Sequence, residues 1–259
     1  MGILNVTPNS FYDGGKFADE KSMLLQVEKM LTEGATFIDI GAYSSKPSAE
    51  YVTEEEEIER LVPIVKSVLK HFPETLISVD TFRAKVAKAG IENGACIIND
   101  IAAGSLDDNM MKTVAELQVP YIMMHMKGNP QMMQSLAQYE NVTKEVLFYF
   151  SEKVAQARSL GINDLIIDPG FGFAKTLEQN FEVMNNLELF QMLDLPILVG
   201  ISRKSMIYKT LDTSAEFALN GTTVLNTIAL QKGSNILRVH DVKEAIECVK
   251  LHQSINPKL

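Results

Sequence analysis

The sequence predicts an α/β fold, a (β/α)8 barrel of the TIM type, on three observations. Short apolar runs, most ending in a polar residue, recur eight times. Longer amphipathic stretches separate them. The whole alternation fits within 259 residues, the usual size of one such barrel and too long for a minimal domain.

The apolar runs are 2–6, 37–41, 76–80, 96–100, 121–125, 165–168, 197–202 and 236–240. Continuous apolar runs of this length suit parallel strands buried on both faces. The stretches predicted helical are 20–33, 54–71, 82–93, 107–118, 140–160, 178–192, 214–232 and 241–252. Thr53 before four glutamates reads as an N-cap with an acidic first turn. Gly34, Gly94 and Gly161 fall where C-terminal caps are expected. No linker or composition shift divides the chain, so residues 1–259 are expected to be one barrel domain.

Composition narrows the function. A 46% hydrophobic content supports a sizeable core and excludes a disordered chain. No apolar run approaches the roughly 18 residues of a membrane helix, and Met1 leads directly into Gly-Ile-Leu without a basic leader. No membrane partner is expected. Cys96 and Cys248 are far apart and form no CxxC, which fits small apolar fillers in a reduced, cytoplasmic setting. The net charge of −9, with no basic block, argues against nucleic acid as a partner.

In such barrels the active site lies at the C-terminal ends of the strands. Those ends carry Asn5, Asp80, Asn99, His125, Asp168, Lys204, Arg238 and His240. The acids and amides come mainly from the middle strands, the cations from the last two. One side of the ring thus suits a hydrogen-bond-donating heterocycle and the other an anion. Asp80 and Asp168 can each accept a pair of N–H bonds from a guanidine-like edge, as in a pterin or guanine; the plainer role for Asp80 is a helix N-cap. Asn99 offers both donor and acceptor, or is a turn residue. Arg238 and His240 share one strand face and read as an oxyanion clamp, the alternative being that one caps a helix or pairs with Asp241. Ser202-Arg203-Lys204-Ser205 opens a helix, a place where anions bind. His125, between Met124 and Met126, reads as buried and structural at least as well as catalytic.

The loops after the first two strands, 7–15 and 43–48, are rich in turn formers and hydroxyls and are expected to close over the mouth. No His/Cys metal spacing exists in the sequence, so a metal would be bound by oxygen, through Asn5 or Asp13 and a substrate phosphate, which suits Mg²⁺.

GILNVTPNSF, SVDTF, IIND, DPGFGF, SRKS and RVHDV occur in this order and spacing across essentially the whole chain. Together they resemble the dihydropteroate synthases of folate biosynthesis. The resemblance implies condensation of 6-hydroxymethyl-7,8-dihydropterin diphosphate with 4-aminobenzoate to give 7,8-dihydropteroate and diphosphate. It implies that Asp80, Asn99, Asp168 and Lys204 hold the pterin and act in catalysis, with Met124 packed on its ring. Asn5, Arg238 and His240, with Ser45 and Mg²⁺ at Asn5, would hold the diphosphate, and Asp13 would order that site. Phe11, Lys46, Pro47, Phe173 and Ser205 would hold the aminobenzoate. Homodimerisation and competition by sulfonamides are further family expectations. In this chemistry the diphosphate departs first and the aniline nitrogen then attacks, which needs no strong base.

The chain departs from the family pattern at Asn9, where an acid is usual, at Ser45-Lys46, where Thr-Arg is usual, and at Ser48, where glycine is common. Lys46 lacks the planar fork of arginine. The chain also starts at strand one, without the residues that commonly plug the barrel floor, so either the start is trimmed or the barrel is open below. Competing readings are a non-catalytic pterin-binding protein, a methyltetrahydrofolate-dependent methyltransferase and a sugar-phosphate isomerase. The clamp and SRKS speak against the methyltransferase; the lack of a glutamate at any strand end speaks against the isomerase.

Overall fold

The computed structural model describes residues 1–6, 16–43 and 52–255. Six strands form one parallel sheet in sequence order: β1 (Gly2–Asn5), β2 (Phe37–Gly41), β3 (Leu76–Asp80), β4 (Ile97–Asp100), β5 (Tyr121–Met124) and β6 (Leu165–Asp168). A parallel pair, β7 (Leu198–Val199) and β8 (Ile236–Leu237), completes the ring. Single bridges close it, Ile167 to Ile197 on one side and Gly2 to Val239 on the other. The amide of Ile3 donates to Val239 O at 2.9 Å, and that of Ile167 to Pro196 O at 3.0 Å. All eight predicted strands are present. The last two are shorter than their apolar runs; after β7 the chain leaves the ladder at Gly200 and turns, Lys204 N donating to Ile201 O at 3.1 Å.

Helices α1 (Lys16–Thr32), α2 (Glu54–His71), α3 (Ala84–Glu92), α4 (Met110–Leu117), α5 (Val142–Ser159), α6 (Leu177–Asn185), α7 (Ser205–Thr210), α8 (Leu219–Gln231) and α9 (Val242–Ile255) follow the strands, one after each except that both α7 and α8 lie between β7 and β8. Thr53 caps α2 in a full capping box with Glu56, as its sequence implies. Gly34, Gly94 and Gly161 all have positive φ. Two helices differ from expectation. The 178–192 stretch breaks at Asn186, whose side-chain amide donates to Thr143 Oγ1 and to Glu182 O, and it continues as a 3-10 helix over Leu187–Leu193. An amide that bonds nearby backbone competes with the α-helix. The 214–232 stretch begins as a 3-10 turn, Ala215–Phe217, before α8.

Alternation along the strands separates two apolar regions. Residues such as Ile38, Ile40, Ile77, Val79 and Ile98 face the helices and join the main core. A separate cluster of Ile97, Ile122 and Leu198, flanked by Met1, Phe37, Cys96, Ile166 and Ile236, fills the lower barrel. This layer makes the interior below the site apolar. Polar side chains take over above it. Pairings Asn5–Gly41, Gly41–Asp80 and Asp80–Asn99 set those four residues in one row across four strands, and Met124 pairs with Asp168 further round.

Candidate active site at the barrel mouth

Arg238 is the hub of the site. Its Nε donates to Asp39 Oδ2 at 2.6 Å and its Nη2 to Asp80 Oδ2 at 2.6 Å. Asn99 Nδ2 reaches the same Asp39 oxygen at 3.1 Å. Strands β2, β3, β4 and the end of β8 are thereby joined through one carboxylate–guanidinium network. Burial alone would lower the Arg238 guanidinium, but Asp39 and Asp80 more than offset it and raise its pKa. Burial raises the pKa of the Asp80 carboxyl, against the pull of Arg238. Asp80 does not cap α3, whose flanking residue is Arg83; Asp107 accepts the Ala84 amide instead.

Asp39 was not among the expected site residues. Its signal was present: an acid inside an apolar strand, on the same face as Gly41. It is fully buried, and among the described residues its Oδ1 has no hydrogen-bond partner. An unpaired buried carboxylate oxygen is costly, so it marks a position where a ligand donor gains.

Asp168 lies across the ring, buried, with Oδ1 accepting the Gly170 amide at 2.8 Å. Burial raises its pKa, while Lys204 and that amide pull it down. Lys204 comes from the turn after β7. Its ammonium donates to Phe171 O and lies 4.8 Å over the Phe173 ring. Burial lowers it to about 8, with Asp168 opposing. Gly170 has φ +72°, and a Cβ there would sit 2.1 Å from the His125 carbonyl oxygen, so only glycine fits. Met124 and Phe173 belong to one apolar cluster above the floor, with Ile101, Ala102, Met126 and Met133.

His240 is held by Ser202, whose Oγ lies 3.0 Å from Nδ1 and accepts the His240 amide at 3.2 Å. Burial and then Arg238 lower its pKa. The partner of Asp241 is neither Arg238 nor His240 but Arg203, through two bonds of 2.8 and 2.9 Å. Arg203 also donates to Ala215 O and Glu216 O, so it anchors the turn rather than facing the mouth. Ser205 opens α7, a helix of six residues. Asn5 ends β1, exposed. Near the second loop, Arg83 pairs with the buried Glu57 at 2.7 Å and donates to Val52 O at 2.7 Å.

The structure thus brings together Asp80, Asn99, Asp168, Lys204 and Arg238 and adds Asp39. Phe11, Asp13, Ser45, Lys46 and Pro47, like Asn9 and Ser48, lie outside the described residues. Among the described residues no group of three His, Cys, Asp or Glu side chains is placed to hold a metal ion. None of their helices is long and apolar enough to cross a membrane.

Carboxylates opposite cations at the C-terminal ends of barrel strands stand where enzymes of this fold carry their active sites. The sequence pattern of the pterin binding enzymes matches residues 1–240. The chain is 43% identical over 256 residues to the dihydropteroate synthase of Haemophilus influenzae, covering 98% of this chain and 92% of that protein. It superposes on Yersinia pestis dihydropteroate synthase, solved with a sulfonamide drug complex, with TM-score 0.92 and 37% identity over 99% of this chain and 94% of that one. Against Xanthomonas albilineans dihydropteroate synthase in complex with 7,8-dihydropteroate the TM-score is 0.87 at 33% identity, over 99% and 92% of the two chains. The chain belongs to the pterin-binding enzymes and, among them, to the dihydropteroate synthase family.

Proposed function

We propose that this chain condenses 6-hydroxymethyl-7,8-dihydropterin diphosphate with 4-aminobenzoate, releasing diphosphate and forming 7,8-dihydropteroate. The observation that carries the residue-level reading is the Asp39–Arg238–Asp80 network with Asn99, facing Asp168 and Lys204 across one barrel mouth. Asp168 accepts N–H bonds from the guanidine-like edge of the pterin, and Asp80 and Asn99 complete its hydrogen bonding. Met124 packs on the ring, and the Lys204 ammonium donates to a ring acceptor after leaving Phe171 O. Buried carboxylates suit such a donor-rich edge because charge-assisted bonds are short and strong.

Arg238 and His240 receive the diphosphate. When the Ser202 hydroxyl donates to Nδ1, the neutral His240 ring carries its proton on Nε2 and donates that N–H to a phosphate oxygen. Asn5 contributes a single neutral oxygen, which fits Mg²⁺ brought in on the diphosphate and otherwise ligated by phosphate and water. Bound there, the ion would neutralise negative charge on the departing group. The C–O bond to the diphosphate breaks, the electron-rich dihydropterin stabilises the methylene cation, and fixed donors meet the charge growing on the leaving group. The aminobenzoate nitrogen then attacks and loses its proton to solvent. Phe173 forms one wall for that ring, with Ser205 near its carboxylate; Phe11, Lys46 and Pro47 are assigned with it, and Ser45 and Asp13 with the diphosphate. Sulfonamides, which resemble aminobenzoate, compete there.

A second copy of the chain packs on α8 and α9 in this reading. Phe217, Val224, Leu251 and Ile255 are exposed by 50–72% on those helices and the turn before them, an apolar surface that association would cover. The two free thiols suit the cytoplasm.

The test is diphosphate release with Mg²⁺, with and without 4-aminobenzoate. Release that depends on aminobenzoate and yields dihydropteroate is expected. Tight pterin binding without turnover would instead favour a non-catalytic pterin-binding protein.

A further inference from the structure

Lys175 closes the DPGFGFAK segment, yet none of the roles above uses it. It is 3% exposed. Its ammonium reaches three acceptors: His125 Nδ1 at 3.0 Å, Gly170 O at 3.0 Å and Phe173 O at 3.2 Å. An ammonium has three donors, so this cage saturates it. Burial holds His125 down to about 2, so the ring is neutral; where the Lys175 ammonium donates to Nδ1, the ring proton sits on Nε2. Burial also lowers Lys175 to about 7, with Asp168 opposing.

The acceptors come from two elements. His125 follows β5 and is fixed there, its amide donating to Asp168 O at 3.0 Å and its ring edge-on to Tyr149 with centroids 4.9 Å apart. Gly170 and Phe173 lie on the loop after β6. Tyr139 adds a second clasp by donating to Ala174 O at 2.8 Å. Asn180 adds a third by accepting the Gly172 amide at 2.7 Å. The loop is therefore wound around the buried Lys175 amine and bolted through it to the residue after the neighbouring strand. On that loop, Phe171 O receives Lys204 and the Phe173 ring lies under the Lys204 ammonium.

We propose that Lys175 is a positioning residue: with His125 as its anchor it holds Gly170 O and Phe173 O, and so sets the Phe173 wall for the second substrate. The proposal rests on the assignment of Phe173 to the aminobenzoate wall. The Asp168 backbone is fixed by the β5–β6 ladder, with only its Oδ1 tied to the loop through the Gly170 amide, so pterin binding depends on Lys175 less.

A double-mutant cycle tests it, with Lys175→Met, Phe173→Ala and the pair, reading KM for each substrate and kcat. Each single variant is expected to raise KM for 4-aminobenzoate about tenfold while KM for pterin diphosphate changes less than about threefold, and the pair to resemble Phe173→Ala alone. An unchanged aminobenzoate KM in Lys175→Met, equal rises for both substrates, or full additivity would overturn the positioning role. If Phe173→Ala itself leaves that KM unchanged, the wall assignment falls, and this inference with it. Should Lys175→Met fail to fold, His125→Phe takes its place in the cycle. It removes one acceptor of three, and about a threefold rise confined to aminobenzoate is expected. No rise would overturn the proposal.

Discussion

Arg238 carries two roles through one guanidinium. Asp39 and Asp80 hold it in place, and the planar fork lets it keep both partners while, in the proposed reading, its outer face meets the diphosphate. Asp39→Asn keeps the shape but removes one of the two charges. KM for pterin diphosphate is expected to rise about tenfold, equivalent to about 1.4 kcal/mol. Unchanged kinetics in that variant would show that Asp39 is a bystander. Lys204 offers a pH signature. The ammonium form is the donor, and its pKa of about 8 lies within reach of an ordinary assay. Protonation is lost as pH rises through that value, so kcat/KM for the pterin substrate is expected to fall above about pH 8, this ratio reporting the free enzyme. Lys204→Met is expected to keep the fold with a rate lower by about 100-fold and no alkaline limb there. A limb that survives in Lys204→Met belongs to another group.

Elements place these residues through their ends. Thr53 shows how far local chemistry sets an element: its hydroxyl accepts the Glu56 amide at 3.2 Å, and the Glu56 carboxylate accepts the Thr53 amide at 2.9 Å. Thr53→Ala is expected to cost about 1 kcal/mol and to lower Tm by about 2–4 °C for a chain of this size. Thermal unfolding followed by circular dichroism reads it directly, and an unchanged Tm would mean that the box adds nothing. The turn between β7 and α7 works differently. It is held by Arg203 on Asp241, from the start of α9, so the elements on either side of β8 cooperate to present Lys204. The loop after β6 is likewise fixed by partners from outside itself, His125 and Asn180.

The whole barrel is an apolar floor under a polar mouth. Its closure depends on the contacts of β8 with β1 and of β6 with the residue before β7, which bring Arg238 beside Asp39 although 199 residues separate them. On the outside, the exposed apolar residues of α8 and α9 predict association. Sedimentation at micromolar concentration is expected to give about twice the 28.8 kDa chain mass. Val224→Glu with Leu251→Glu is expected to yield a monomer with unchanged circular dichroism. A monomeric parent chain would remove the case for a dimer on this face.

Much of this was legible in the sequence, for a local reason. Strand runs, caps and polar strand ends are set by residues close together in the chain, so Asp80, Asn99, Asp168 and Arg238 could be named from pattern alone, as could the capping role of Thr53. Six short motifs in register added the family. What the sequence could not decide was pairing. Asp39 looked like one acid within a strand until closure set Arg238 against it. Asp241 had Arg238 and His240 as candidate partners, and the path of the turn after β7 brought Arg203 to it instead. Lys175 became meaningful only once His125, 50 residues away, was brought to 3.0 Å. Local propensity fixes which faces are apolar and where elements stop. Which buried charges meet is decided by the closed ring, because the cost of leaving a buried charge unpaired is settled only when the whole barrel has excluded water.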